Sequence, residues 1–232
     1  MDRFYNSCKM LEIPFDMPRE TLVEELQKCI DANELDHGML YWQCSRGTAL
    51  RAHNFPPADV KPNLMIFTVP CELVPMDQAF KLISMEDTRF LHCNIKTLNL
   101  IPSVIAYQRC MESGCQETIF HRGDRVTECA HSNVLMIKDG VLCTPPRDNL
   151  ILPGITLKHL LELAQANGIP TKEAPFTMDE LRDADEIIIS SSGGLCIRAV
   201  ELDGKPVGGK DPATLKKLQD AYTAFYDKDT NY

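Results

Sequence analysis

His92-Cys93-Asn94-Ile95-Lys96-Thr97-Leu98-Asn99-Leu100-Ile101-Pro102 places one lysine in an otherwise uncharged and largely apolar stretch. A cationic side chain in such surroundings loses hydration, which disfavours its charged form. A lysine held neutral near pH 7 is the nucleophile that forms a Schiff base with an aldehyde. The ordinary alternative is a lysine whose stem lies on apolar surface while its ammonium stays in water. From these eleven residues alone both readings stand, and the ordinary one is the commoner; the rest of the chain has to supply the choice.

Around this stretch the chain has 232 residues, enough for one large domain or two small ones. A hydrophobic content of 44% with 25% charged residues is that of a soluble globular protein. The net charge of −9, with no basic run, argues against a general nucleic-acid or anionic-membrane binder. No apolar run is long enough to span a bilayer, and Met1-Asp2-Arg3-Phe4-Tyr5 lacks the apolar core of a signal peptide, so a cytoplasmic location is expected. Ten cysteines are scattered without a CxxC pair; reduced, mostly buried thiols are expected, and no zinc or other metal site.

In chain order, the apolar spacing of Leu22, Val23, Leu26, Cys29 and Ile30 predicts a helix over Pro18 to Ala32, broken at Asp36-His37-Gly38. Strands are predicted over Met39 to Ser45 and Asn63 to Val69. Between them Leu50 to Phe55 reads as extended, and strand alternation sets Arg51 and His53 on one face. Two such groups suit a carboxylate, with the guanidinium contributing bidentate geometry; an exposed edge with solvated charges is the alternative. The proline-bounded segment 70–75 predicts a linker between a small domain, 1–69, and a larger one, 76–232.

Beyond the linker, Phe80 to Met85 predicts a strand and Ser103 to Ser113 a helix. Strands are expected over Glu117 to His121 and Val134 to Ile137, the latter forming a hairpin with Val141-Leu142-Cys143 through Asp139-Gly140. Glu128, in the stretch between them, reads either as functional or as a surface carboxylate. Leu152-Pro153-Gly154-Ile155-Thr156 runs straight into a helix, whose free first-turn amides suit a phosphate as readily as an ordinary cap. A short helix over Met178 to Ala184, a buried strand over Glu186 to Ser190, a small-residue turn at Ser190 to Gly194, a strand over Ile197 to Leu202 and a closing helix over Pro212 to Tyr226 with a polar tail complete the chain.

The order of these motifs, Ile95-Lys96-Thr97-Leu98-Asn99, then Val126-Thr127-Glu128 with Ser132-Asn133, then Leu152 to Thr156, then Ser190 to Gly194, resembles the fold-type IV pyridoxal-phosphate enzymes, the class IV aminotransferase family. Arg51-Ala52-His53 after Tyr41-Trp42-Gln43 looks most like the D-amino-acid aminotransferase subfamily. The resemblance implies an α+β chain of two domains, a small N-terminal α/β domain and a larger α/β-barrel-like one, acting as a homodimer in which Arg51 and His53 serve the other subunit's substrate carboxylate. It implies pyridoxal 5′-phosphate as cofactor, Lys96 as Schiff-base lysine and proton-transfer base, Glu128 at the pyridine nitrogen, Leu152 against the ring, and Arg3, Ile155, Thr156 and Ser192 around the phosphate. The implied activity is transamination of D-amino acids such as D-alanine with a 2-oxo acid such as 2-oxoglutarate. The alternatives are a shortened, weakly active or non-catalytic homologue, an aminodeoxychorismate lyase, or a branched-chain aminotransferase, the last two opposed by Arg51 and His53.

Three departures go with the resemblance. Cys129-Ala130-His131 stands where a glycine and serines are usual, and Ser192-Gly193-Gly194 replaces a threonine-rich turn. Family members also carry a few dozen residues ahead of the position of Asp2-Arg3, which supply strands and a pocket tyrosine, so an incomplete small domain with exposed sheet edges is expected.

Overall fold

The computed structural model describes residues 1–33 and 37–230. Asp36, in the expected helix break, and the last two residues of the expected polar tail lie outside that range. The chain divides into two compact units, Met1–Glu72 and Leu73–Tyr232.

The first unit holds α1 (Asp2–Met10), α2 (Arg19–Asp31), β1 (Met39–Ser45) and β2 (Asn63–Val69). No element is predicted for α1 from its mixed composition; it is held by aromatic packing, with Phe4 edge-on to Tyr5, Phe15 and Trp42 at centroid distances of 5.5, 5.2 and 6.1 Å. In α2 the predicted stripe buries Leu22 and Leu26 while Val23 and Ile30 stay exposed. β1 and β2 pair antiparallel from Met39↔Val69 to Ser45↔Asn63, which stacks Tyr41 on Phe67 at 4.8 Å. The expected strand over Leu50 to Phe55 does not form: the segment between β1 and β2 has no ladder partner. Pro56 and Pro57 lack ladder donors, and Arg46 ties the loop down instead, donating to the carbonyls of Leu11 and Glu12 and lying 3.7 Å over the Phe55 ring.

The second unit is built on one nine-stranded sheet. Its strands are β3 (Ala79–Glu86), β4 (Glu117–Arg122), β5 (Arg125–Cys129), β6 (Asn133–Lys138), β7 (Val141–Thr144), β8 (Thr171–Glu173), β9 (Glu186–Ser190), β10 (Ile197–Leu202) and β11 (Lys205–Pro206). Its helices are α3 (Ile101–Glu112), α4 (Ile155–Ala166), α5 (Met178–Arg182) and α6 (Pro212–Thr230). The strand order is β5-β4-β3-β10-β9-β6-β7-β8, with β11 beside β10. The β3·β10, β3·β4 and β7·β8 pairs are parallel and the rest antiparallel. The β6–β7 hairpin forms at the predicted turn, where Asp139 and Gly140 both have positive φ (50° and 74°), as a two-residue hairpin turn requires.

One connection dictates the sheet's shape. β5 and β6 are consecutive in sequence but stand at the first and sixth places of the order. In a flat sheet those places lie roughly 24 Å apart, at ~4.8 Å per strand. The chain from Cys129 to Asn133 reaches at most about 14 Å even when extended. The sheet therefore curls, bringing the end of β5 to the start of β6, and this is where the candidate site forms.

The central strands are apolar on both faces, which is why they read as near-continuous apolar runs. Side chains of β6 and β9 alternate between two cores: Val134, Met136, Ile187 and Ile189 pack with Phe176, Met178 and Leu181, while Leu135, Ile137 and Ile188 pack with Leu157, Leu160, Leu215 and Tyr222 of α4 and α6. The short α5 is fixed by a capping box, Thr177 accepting from the Glu180 amide while the Glu180 carboxylate accepts from the Thr177 amide. Leu160→Ala, which empties a fully buried position between α4 and the sheet, lowers the unfolding free energy by about 2–5 kcal/mol, read as a drop in the urea midpoint.

Candidate active site

The site is organised by charge rather than by apolar contact. Glu128, at the end of β5, is 5% exposed, so the surface-carboxylate alternative is excluded. Burying a carboxylate is costly unless donors replace its water, and three do. Arg89 donates to Oε1; the side-chain amide of Asn133 and the backbone amide of Leu152 donate to Oε2 at 3.1 and 3.0 Å. Arg89 is in turn forked onto Asp87 through Nε and Nη2, both at 2.9 Å, and donates to the Leu150 carbonyl at 3.1 Å. Asp87, whose side chain is wholly buried, also accepts from Thr127 Oγ1 at 3.0 Å and Arg122 Nε at 3.2 Å.

The pKa directions follow from this geometry. Burial pushes the Glu128 carboxyl up to about 7, against the opposing pull of Arg89 and the Leu152 amide. Burial also works against the charge of Arg89 and of Asp87, but here the ion pair outweighs it: Asp87 and Glu128 hold the guanidinium more firmly protonated, and Arg89 and Arg122 hold the Asp87 carboxyl below the usual range. Two guanidinium groups therefore face two carboxylates, and Asp87 takes the larger share of Arg89.

The same arrangement gathers the other motifs of this unit. Asn133 Nδ2 donates to the Leu152 carbonyl at 2.9 Å as well as to Glu128. Asn133 pairs with Ser190 at the end of β9, and the turn containing Ser192 follows directly. Gly154 caps α4 without a side-chain bond, leaving the amides of the first turn, at Ile155 and Thr156, without intrahelical partners. A Cβ at Gly154 would stand 2.1 Å from Asn133 Oδ1, so only glycine permits this approach.

The lysine stretch is irregular and is tied to the same region: Cys93 N donates to the Asn149 carbonyl at 3.0 Å and Asn149 Nδ2 to the Leu91 carbonyl at 3.0 Å. Cys93 and Ile95 are buried, but Lys96 is exposed, in line with the ordinary reading of this stretch and not with a desolvated lysine. A turn closed by the Ile95 amide donating to the His92 carbonyl at 3.1 Å aims Cys93 and Ile95 inward and leaves Lys96 outside. Asn133 thus touches Glu128, Leu152 and the Gly154 helix start, with Ile155 and Thr156 next along α4 and Ser192 two residues beyond its pairing partner Ser190, and the loop carrying Lys96 is tied to Asn149.

In the first unit Arg51 and His53 meet without a strand, Nη2 to Nε2 at 3.4 Å, in an open cleft of about 390 Å³ that Arg46 and Phe55 also line. Arg3 lies on α1, where burial pulls its guanidinium down. Arg89, Asp87 and Arg122 are neighbours of Glu128 that the motifs do not reveal; in Met85-Glu86-Asp87-Thr88-Arg89 the charges look like those of a solvated turn.

Asp87→Asn leaves Arg89 with half its countercharge and lowers stability by about 3 kcal/mol at neutral pH. A carboxylate with a lowered native pKa contributes stability that is complete above its unfolded value, near pH 4, and is lost as pH falls through the native value. The urea midpoint of the wild type therefore falls on acidification below about pH 4, and the variant shows a shallower fall over the same range.

Comparison with known proteins agrees with this arrangement. Residues 1–202 match the family model described as amino-transferase class IV. The chain is 36% identical over 229 residues to a D-alanine aminotransferase of Staphylococcus aureus (strain MSSA476), covering 97% of this chain and 81% of that one. It is 38% identical over 226 residues to a D-alanine aminotransferase of Listeria monocytogenes serotype 1/2a (strain 10403S), covering 94% and 78%. Among solved structures, the branched-chain amino acid aminotransferase from Escherichia coli superposes with a TM-score of 0.85 at 26% identity, over 96% of this chain and 76% of that one. With the buried Glu128, the glycine-led helix start and the lysine loop in family order, the chain belongs to the class IV aminotransferases, with their fold-type IV architecture.

Proposed function

We propose that the chain transfers amino groups from D-amino acids such as D-alanine to 2-oxo acids such as 2-oxoglutarate, with pyridoxal 5′-phosphate as cofactor. The observation that carries this reading is its 36–38% identity to D-alanine aminotransferases over 94–97% of its length. The likeness to the branched-chain enzyme is lower, at 26%.

The residues fit the cofactor. Gly154 lets Asn133 close against the start of α4, whose first-turn amides have no intrahelical partners, and Asn94 Oδ1 and Ser190 Oγ are buried polar atoms with no partner among the described residues. Ile155, Thr156 and Ser192 would hold the phosphate, with Arg3 as countercharge, and Leu152 would lie against the ring. When bound, pyridoxal 5′-phosphate supplies an aldehyde that takes up the amino group and a ring that withdraws electrons from the α-carbon.

The chain's own residues do the rest. Lys96 would supply the amine that holds the cofactor's aldehyde and, as a free amine, would move the proton to and from the α-carbon. Glu128 would face the ring nitrogen, where a carboxylate stabilises a proton. Arg89 and Asn133 fix the orientation of that carboxylate. Arg51 and His53 bind the substrate carboxylate of the partner's site in a homodimer. Support for dimerisation comes from the outer face of α3, where Ile101, Val104, Ile105 and Met111 are all more than half exposed. The acidic balance and free thiols accord with residence in the cytoplasm.

The purified chain supplied with cofactor is expected to convert D-alanine and 2-oxoglutarate to pyruvate and glutamate, and Lys96→Ala to lower kcat by about 10³-fold. Borohydride treatment should leave the cofactor covalently on Lys96, read by peptide mass. Turnover of L-leucine but not D-alanine, or a borohydride adduct at another lysine, overturns the assignment. Gly154→Ala is expected to weaken cofactor retention by about tenfold, measured by equilibrium dialysis, because the new methyl displaces Asn133.

A further inference from the structure

Glu117, the first residue of β4, is fully buried, yet none of the roles assigned so far uses it. Its carboxylate accepts four hydrogen bonds. Oε1 receives the amides of Thr118 at 2.7 Å and Ala130 at 3.2 Å; Oε2 receives Ser132 Oγ at 2.6 Å and His131 Nδ1 at 2.8 Å. Three of the four donors come from Ala130, His131 and Ser132, which with Cys129 lie between Glu128 and Asn133 and form the link whose shortness curls the sheet. The His131 ring is held from its other side by Tyr107 of α3, edge-on at a centroid distance of 4.7 Å. The turn is further closed by the Cys129 amide donating to the Ser132 carbonyl at 2.9 Å, and the Ala130 amide also reaches the Thr118 carbonyl at 3.0 Å.

A buried carboxylate that accepts from three consecutive residues acts as a template for their path: without it the buried Ser132 hydroxyl loses its acceptor, and the exposed His131 ring and the Ala130 amide, which keeps the Thr118 carbonyl, lose the partner that fixes them. The path matters here because its two ends carry the groups that meet, Asn133 Nδ2 and Glu128 Oε2. We propose that Glu117 is a positioning residue for the transamination reaction: by fixing the Ala130–Ser132 turn it holds Glu128 and Asn133 in register, with the His131 ring as one of its hydrogen-bond partners. This rests on the reading of Glu128 as the carboxylate that meets the cofactor ring. Glu117 touches neither cofactor nor substrate in this scheme and acts only through the turn.

The test compares the full chain with Glu117→Gln, Ser132→Ala and His131→Asn, each supplied with cofactor. Glu117→Gln keeps the volume but turns one acceptor into a donor facing donors. In a folded variant it is expected to lower kcat for D-alanine by about ten- to a hundredfold while KM changes by less than about twofold. It should also displace the side-chain amide resonances of Asn133, identified by their loss in Asn133→Asp. Ser132→Ala and His131→Asn are expected to move both readouts in the same direction by smaller amounts, and they carry the test if Glu117→Gln does not fold. Unchanged kcat and unchanged Asn133 resonances in the folded variants overturn the proposal, whatever happens to their melting temperatures. If the wild type itself shows no transamination, the activity assigned above fails, while the Asn133 resonances still decide whether Glu117 sets the turn.

Discussion

The short link between β5 and β6 is the constraint on which the large unit depends. Four peptide steps join strands that stand at the first and sixth places of the sheet, and the sheet has to bend to satisfy them. Bending alone would leave a rim of polar backbone with the Glu128 carboxylate buried in it. The ion network of Arg89, Asp87, Arg122 and Glu128 compensates that charge, while Asn133 and the Leu152 amide satisfy the carboxylate oxygens that Arg89 does not reach. Fold and site therefore share one set of bonds. The groups that would grip a cofactor ring also fasten the rim of the sheet.

Electrostatics decides what this rim can do. Surface ion pairs elsewhere, such as Lys158 with Glu162 along α4, are solvated and contribute little. The Arg89 pairs differ because their side chains are at most 8% exposed and are linked to backbone carbonyls. Removing one partner there strands the other in a medium that solvates it poorly. The cluster consequently tolerates little change, whereas the Arg51–His53 pair sits in an open loop where its geometry can adapt to what it binds.

Much of this was legible in the sequence, for a physical reason. The runs over Glu186 to Ser190 and Val134 to Ile137 are apolar because both faces are covered, and Asp139-Gly140 marks a turn that needs positive φ twice. Lys96, Glu128 and the Gly154-Ile155-Thr156 helix start were readable as motifs in order. β5 was not, because Thr127 and Glu128 are buried by ion pairing and hydrogen bonds instead of by apolar character. The Leu50 to Phe55 segment failed in the opposite way: its alternation looked extended, but two prolines and an arginine anchored elsewhere leave it a loop. Arg89 and Asp87 escaped notice because a charged pair two residues apart has no signature until the fold supplies its partners.

The parallel pairing of β3 with β10 joins Ala79 to Arg198 across more than half of the chain's length. During synthesis β3 and β4 can pair, but the other edge of β3 stays bare until β10 has left the ribosome. The β6–β7 hairpin closes locally and early, so the slow step in assembling this unit is the arrival of a late strand in the middle of an early sheet. A nascent chain of this architecture presents an open strand edge for about half of its translation, which makes the interval before β10 emerges its period of greatest exposure to aggregation and to chaperones.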